Sequence, residues 1–430
     1  MRRRVLSWLA MAMIAGRVGP TLAAPSDCTP LPHAPLTLAA AEERFARCNR
    51  DVRAAELTAE AFAADRRTAS QRPNPTLSVG ASNVNPHAGV GAGTLRDKTF
   101  DSSVRLEQLI ERGGKAALRE EQADALYAAA LADVAEQGRV QRLAMRTAFF
   151  DLAAAQEKVR LQRDFRALAA DSAAASTRRF DAGEVPRAEA NRFRLDAARA
   201  ANDALQSETD RDRARLDLAR LLGAESSART LEVEIAWPDD GPASGKSGER
   251  PDVAAARHRV EAAQAARELA RRIATRDVTV GVQADRWPVS ETNVQGTGVS
   301  YGLTVSIPLQ VRHANEGEVA RARADLESAR AVLERADAQA AAEARSSEAE
   351  WFAARQRRTR VETEVRPVAR DVGAAAEFAY ARGATGVLDL LDARRSLKAV
   401  ELDEVQARAD AAKAWARREA AAETIEERQR

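Results

Sequence analysis

From the glycine pair Gly113-Gly114 to Pro186 the chain contains no proline and reads as helix almost throughout. At 1.5 Å per residue, the roughly 65 residues from Lys115 to Phe180 make a rod on the order of 100 Å long. A mean helix has about 11–12 residues, so an ordinary globular domain has no use for such a rod. The design recurs from Glu316 to Tyr380, interrupted only by Pro367. Two very long helices, each ending at a glycine turn, are what the other segments must serve.

Composition agrees with rods rather than a dense aromatic core. The chain has 430 residues, of which 45% are hydrophobic but only 4% aromatic. Lys+Arg 66 against Asp+Glu 64 leaves a net charge of +2, without the basic excess of a nucleic-acid-binding surface. Arg2-Arg3-Arg4, the apolar run Val5 to Ala15 and the small residues around Ala23-Ala24 read as a signal peptide over residues 1–24. That run of about 11 residues is too short to span a bilayer, which takes about 20, and no later run of apolar residues approaches that length. A helical membrane span is therefore excluded. The cysteines, Cys28 and Cys48, are the only two. An exported compartment favours a Cys28–Cys48 disulfide, pinning the N-terminal extension 25–35, over two free thiols. Pro25-Ser26-Asp27 before Cys28 is not a lipobox, which counts against lipidation there.

Taken in order, Leu36 to Arg72 reads as helix with Thr37 as N-cap and Glu42-Glu43 in the first turn, stopped by Pro73 and Pro75. Leu77, Val79 and Ala81 then alternate with small polar residues. A Gly/Asn/Pro loop from Asn83 to Asp97 leads to a second alternating run containing Val104 and Leu106. After the long helix and the turn Asp181–Pro186, a return helix spans Arg187 to Leu222. Leu231 to Trp237 reads as a short strand, and Pro238 to Arg250 as a linker.

The pattern then restarts. Asn49-Arg50-Asp51-Val52 answers Arg250-Pro251-Asp252-Val253, Leu77-Ser78-Val79-Gly80 answers Val278-Thr279-Val280-Gly281, and Phe180-Asp-Ala-Gly183 answers Tyr380-Ala-Arg-Gly383. One unit is written twice, over 36–222 and 251–422, joined by 223–250 and followed by a tail at 423–430. In the second copy Val278, Val280, Val282 and Ala284 alternate with polar residues, as do Val299, Tyr301, Leu303, Val305, Ile307 and Leu309. Runs of about ten residues with one apolar face suit transmembrane β-strands facing lipid on one side and water on the other. A half-buried soluble hairpin would need a core, which charged rods do not supply. Four strands cannot close a barrel, and an open edge is not tolerated in lipid, so copies of the chain must share one. Two copies give 8 strands and three give 12; only the larger leaves a comfortable channel. The spacing of Val361, Val365, Val368, Val372, Ala375 and Ala379 is a heptad seam, and Val319, Leu326 and Leu333 recur every seven residues.

With these features the chain, from Leu36 to about Ala422, resembles the TolC-like outer-membrane efflux protein family. The resemblance rests on the duplication, Asn74-Pro75-x-Leu77, Gln108-Leu-Ile-Glu-Arg-Gly-Gly-Lys115, Ser306-Ile-Pro-Leu309, and Tyr380-x-x-Gly383-x-x-x-x-Leu388-Asp389-x-Leu391-Asp392. Asn74-Pro-x-Leu77 with Gly-Gly-Lys115 looks most like the CzcC-like branch, which exports cobalt, zinc and cadmium. The resemblance implies a mainly α fold with a small β part. Four transmembrane strands per chain would contribute to a shared trimeric 12-stranded barrel in the outer membrane, and an α-helical barrel would cross the periplasm. It further implies a passive exit duct, without cofactor, that docks onto a periplasmic adaptor and an inner-membrane pump.

The two turns containing Gly183 and Gly383 would lie together at the far periplasmic end, where this family meets its adaptor. Asp389 and Asp392 share a helix face just past the second turn. In a threefold assembly they would form two acidic rings that constrict the pore and select cations, although a solvated helix face is the plainer reading. Tyr380 and Glu189 match positions that resemble a gate-holding tether. Thr385 stands where some relatives carry an arginine, so the resemblance does not extend to the second half of such a lock.

Enzyme readings fail. His33, His87, His258 and His313 are scattered, and no set has metal-ligand spacing. Gly89-Val-Gly-Ala-Gly93 lacks the Gly-Lys-Ser/Thr of a phosphate loop and reads as an extracellular loop. The alternatives to a metal duct are an exit duct for drugs or other small molecules, and a periplasmic coiled-coil scaffold without a pore.

Overall fold

The computed structural model describes residues 28, 34–83, 100–238, 248–287, 298–309 and 311–424. The signal peptide 1–24, the Gly89–Gly93 loop, His33, His87 and most of the Pro238–Arg250 linker and the 423–430 tail lie outside these residues.

The first expected helix is two. α1 (Leu38–Cys48) is capped by Thr37, whose hydroxyl accepts from the Ala40 N–H at 3.2 Å. Glu42 and Glu43 fall beyond the first turn, which holds no acidic residue. The helix breaks at Asn49 because that side chain caps α2 (Arg50–Ala69), accepting from the N–H groups of Asp51 and Val52. The strand β1 (Thr76–Ser82) pairs with β2 (Asp101–Ile110), and α3 (Lys115–Asp181) follows without interruption for 67 residues. α4 (Arg187–Leu221) returns.

In the second half, α5 (Pro251–Arg272) answers α2, with Arg250 at the N-cap where the first copy has Asn49. β3 (Val278–Trp287) and β4 (Gly298–Ser306) follow, so Ile307 and Leu309 lie past the strand rather than in it. The second long rod is α6 (Glu316–Arg360), a π-helical segment Val361–Val365, and α7 (Arg366–Ala381). Pro367 explains the segment: it brings no N–H, and the wider turn relieves the clash of its ring with the preceding turn. α8 (Val387–Ala422) returns. Leu231–Trp237 is not a strand. It makes an isolated parallel bridge between Val233 and Leu36, preceded by a 3-10 turn at Glu225–Thr230.

The four strands form one antiparallel sheet in the order β1-β2-β3-β4. Register places Leu77, Leu106, Val282 and Leu303 in one row and Val79, Val104, Ala284 and Tyr301 in the next, all on one face. Ser78, Arg105, Gln283 and Gly302 line the other face. The apolar face is uncovered: Leu77 is 64% exposed and Tyr301 84%. Gly281 serves the polar face, where a Cβ would meet the Thr304 hydroxyl at 2.6 Å.

Most of the aromatic side chains that are fully buried sit at mid-length. Met145, Phe149, Phe150 and Leu152 of α3 pack with Leu218 and Leu222, with α1 and with Ala412 and Ala416 of α8. Phe150 stacks on Trp237 at 6.3 Å and meets Trp415 edge-on at the same distance. Burying such rings stabilises by about 2–3 kcal/mol each. Elsewhere the helices meet through alanines, as where Ala132 packs on Ala254 and Ala255. The Val319–Leu326–Leu333 stripe turns inward, with Leu326 only 1% exposed. The other expected seam does not: Val361 is buried, but Val368 is 62% exposed and Val372 51%. It is Gly373, against Leu397, that faces α8.

Candidate functional site at the helical tip

Two turns end the rods in the same way. The Gly183 N–H donates to Phe180 O and the Glu184 N–H to Arg179 O; the Gly383 N–H donates to Tyr380 O and the Ala384 N–H to Ala379 O. This is the Schellman arrangement, which places a left-handed residue after the helix. Gly183 at φ 77° and Gly383 at φ 71° take that place, where a side chain would be strained.

Phe193, Val387, Leu390 and Leu391 form a small core behind the turns, with Ala173 and Tyr380 against it. The Tyr380 ring meets Phe193 at 6.1 Å, and its hydroxyl donates to Glu189 Oε1 at 2.7 Å. Burial, and then the Glu189 carboxylate, push the phenol's pKa up, so it remains a donor. Arg179 lines the same groove of about 250 Å³. The bond joins α7 to α4, hence the second repeat to the first.

Duplication makes a comparison available. Glu189 and Asp389 hold equivalent places in the first turns of α4 and α8, and Phe180 is the counterpart of Tyr380. Phenylalanine has no hydroxyl, so nothing equivalent to the Tyr380–Glu189 bond can form at Asp389. Asp389 and Asp392 are exposed, and among the described residues neither forms an ion pair. Asp389 also favours its helix terminus electrostatically, as any first-turn acid does. The Thr385 hydroxyl is buried without a hydrogen-bond partner.

Cys28 is disulfide-bonded to Cys48, with Cα atoms 5.9 Å apart. The bridge lies beside the mid-length core, where Asn49 Nδ2 donates to Leu221 O and Arg44 to Leu222 O. His258 contacts Glu261, and among the described residues no group of His, Cys, Asp or Glu is arranged to hold a metal ion.

Two clusters carry no sequence motif because their members are distant in sequence. The first explains the Gly-Gly-Lys segment between sheet and rod. Gly113 and Gly114, both at positive φ, turn the chain from β2 into α3. Lys115, 9% exposed at its side chain, is held at 2.9 Å by both oxygens of Asp277, which also accepts the Arg112 N–H. Burial raises the Asp277 pKa, but these donors outweigh it and hold the carboxyl below its usual range. The Arg119 guanidinium does the same for Glu111, this time as the leading cause. The second cluster surrounds the π segment. Glu404 accepts from Arg366 and Arg408, each at 2.6 Å, while Arg408 reaches Glu362 at 2.7 Å and Glu157 at 3.5 Å.

Comparison with known proteins adds three findings. Residues 247–422, which contain the second repeat, match the family model "outer membrane efflux protein". No curated protein matches the chain by sequence. Solved structures share the fold over most of the chain. A membrane protein from Pseudomonas aeruginosa has 19% identity and a TM-score of 0.77, covering 90% of this chain and 92% of that one. The Campylobacter jejuni CmeC outer membrane channel has 15% identity and a TM-score of 0.76 over 90% and 85%. The Vibrio cholerae outer membrane protein VceC has 18% and 0.75 over 90% and 97%.

Proposed function

We propose that this chain is one third of an outer-membrane exit duct: a transport protein of the efflux type and not an enzyme. Three copies would share a 12-stranded barrel in the membrane, with the helices in the periplasm. The observation that carries this reading is the four-stranded sheet, open at β1 and β4, apolar on one uncovered face and polar on the other, fused to rods of about 100 Å. Exposed apolar faces on the rods support assembly. Val365, Val368 and Val372 lie open on one coil, and Leu195, Leu205 and Leu216 on the other. Neighbouring copies would cover them.

In this assembly the paired turns at Gly183 and Gly383 form the end that meets a periplasmic adaptor, with an inner-membrane pump supplying the energy. Tyr380 and Glu189 tether the coils there, and Asp389 and Asp392 line the constriction. Their exposed carboxylates, unpaired among the described residues, support a cationic cargo, and the CzcC-like motifs support heavy-metal ions such as cobalt, zinc or cadmium. Exposed carboxylates in a wet ring stay largely ionised and attract cations.

Single-channel recording of the purified assembly tests this. Replacing Asp389 and Asp392 together with alanine should reduce cation selectivity and block by multivalent cations while leaving the assembly intact, because both side chains face solvent. Unchanged selectivity in a correctly assembled variant would place the constriction elsewhere.

A further inference from the structure

Between the mid-length core and the tip core, the two coils are held together by polar side chains. The apolar contact above ends near Leu161 and Val405, and that below begins near Ala173 and Leu390. In the interval a groove of about 390 Å³ separates α3 and α4 from α8, lined by Phe165, Leu168 and Ala169 and rimmed by charged residues. Polar contacts cross it, and the Lys398 ammonium also lies 5.7 Å from the centroid of the Phe165 ring. Lys398 Nζ donates to Asp203 Oδ2 at 2.7 Å, Arg394 donates to the Ser172 hydroxyl at 2.9 Å, and Arg395 lies 3.9 Å from Asp196.

Just above this interval the π segment interrupts the rod. The Arg366 N–H bonds to Val361 O across the wider turn, and Pro367 has no N–H to donate. A helix bends most readily at such a place. The Arg366–Glu404–Arg408–Glu362 cluster fastens the segment to α8, and Arg408 reaches Glu157 on α3. The upper end is thus fastened by a cluster built on the buried Glu404, whereas the interval below it is held by more exposed polar ties.

We infer that Lys398 and Asp203 are positioning residues of a second latch, one that holds the α7–α8 coil against α3–α4 below a pivot at Val361–Val365. The inference rests on the duct reading, to which it adds a holding point separate from Tyr380 and Glu189. Asp203 is 50% exposed, so the tie is individually weak and screened by salt. That suits a contact that must release. Apolar packing over the same interval would hold the coils shut permanently; here an open groove takes its place.

The test uses the full chain in detergent carrying Ala169→Cys. Ala169 lines the groove at 6% exposure, and both native cysteines are engaged in the disulfide. Maleimide labelling rates are compared for this parent, K398D, D203K and the swap K398D/D203K. Each single reversal should label about threefold faster or more, the swap should return close to the parent, and high salt should speed the parent. Singles that label at the parent rate, or a swap no slower than the singles, would overturn the latch. Should Ala169→Cys impair assembly, Leu168→Cys on the same wall takes its place and is read in the same way. Absence of conductance in an assembled parent would instead count against the duct reading, and would leave the labelling comparison standing.

Discussion

Tyr380 and Phe180 occupy equivalent places in the two repeats, and a single oxygen atom separates their consequences. The Tyr380 hydroxyl reaches Glu189 at 2.7 Å, whereas Phe180 leaves Asp389 without such a partner. Tyr380→Phe should remove a tether worth about 1 kcal/mol, raising the open fraction several-fold in single-channel recordings. Phe180→Tyr should act in the opposite direction in a threefold assembly, by offering Asp389 of an adjacent copy the hydroxyl it lacks. An unaltered open fraction in both variants would remove these positions from the gate. The sign with pH is also set. The phenol's pKa is raised in the folded protein, so its contribution is complete below the ordinary tyrosine range and is lost only as pH climbs through the raised value. The tether should therefore hold unchanged across neutral pH. Tyr380, Glu189 and the turn glycines were legible in the sequence because they sit at fixed offsets in a duplicated motif. Asp277, Glu157 and Arg408 were not. Their partners lie in other elements, and nothing in the local pattern distinguishes them from the charged background of a chain that is 30% Asp, Glu, Lys and Arg.

At the scale of elements, the long helices and the dyad of the strands could be read directly, since absence of proline and strict alternation are local properties. The errors came where a local signal met a tertiary one. Asn49 looked like one more helical residue, yet its side chain caps the next helix. The valines of α7 satisfy the heptad spacing, but periodicity identifies a stripe without saying what covers it, and within one chain Val368 and Val372 are open. Pro367 was visible as an interruption, but not the π turn that accommodates it or the reach of Arg366 to the buried Glu404 on α8. The joint between sheet and rod has a testable consequence. Asp277 and Glu111 have depressed pKa values, so their stabilisation is present above the unfolded carboxylate range and is lost as pH falls through the folded values. Asp277→Asn should leave Lys115 buried without its counter-charge, at a cost of about 3–5 kcal/mol. It should also flatten the acid limb of a thermal-stability profile in detergent. A variant as stable as the parent with the same acid limb would show that the joint is held by backbone geometry alone.

For the whole molecule, the helices and the sheet make complementary demands. A sheet open at both edges with an uncovered apolar face is stable neither in water nor in lipid, and rods with bare valine and leucine faces need neighbours. Three copies around one axis would answer both at once. Within one chain β1 and β4 are three strand spacings apart, about 14 Å, well beyond the reach of a disulfide. Closure of a shared barrel would bring β4 of one copy beside β1 of the next. The decisive measurement is therefore cross-linking of membranes carrying Ser78→Cys on β1 and Ser300→Cys on β4, both on the polar face. Oxidation, or a short bis-maleimide, should produce covalent dimers and trimers on a non-reducing gel, with nothing larger than the trimer and no product from either single variant. A product that stays monomeric in intact membranes would contradict the shared barrel.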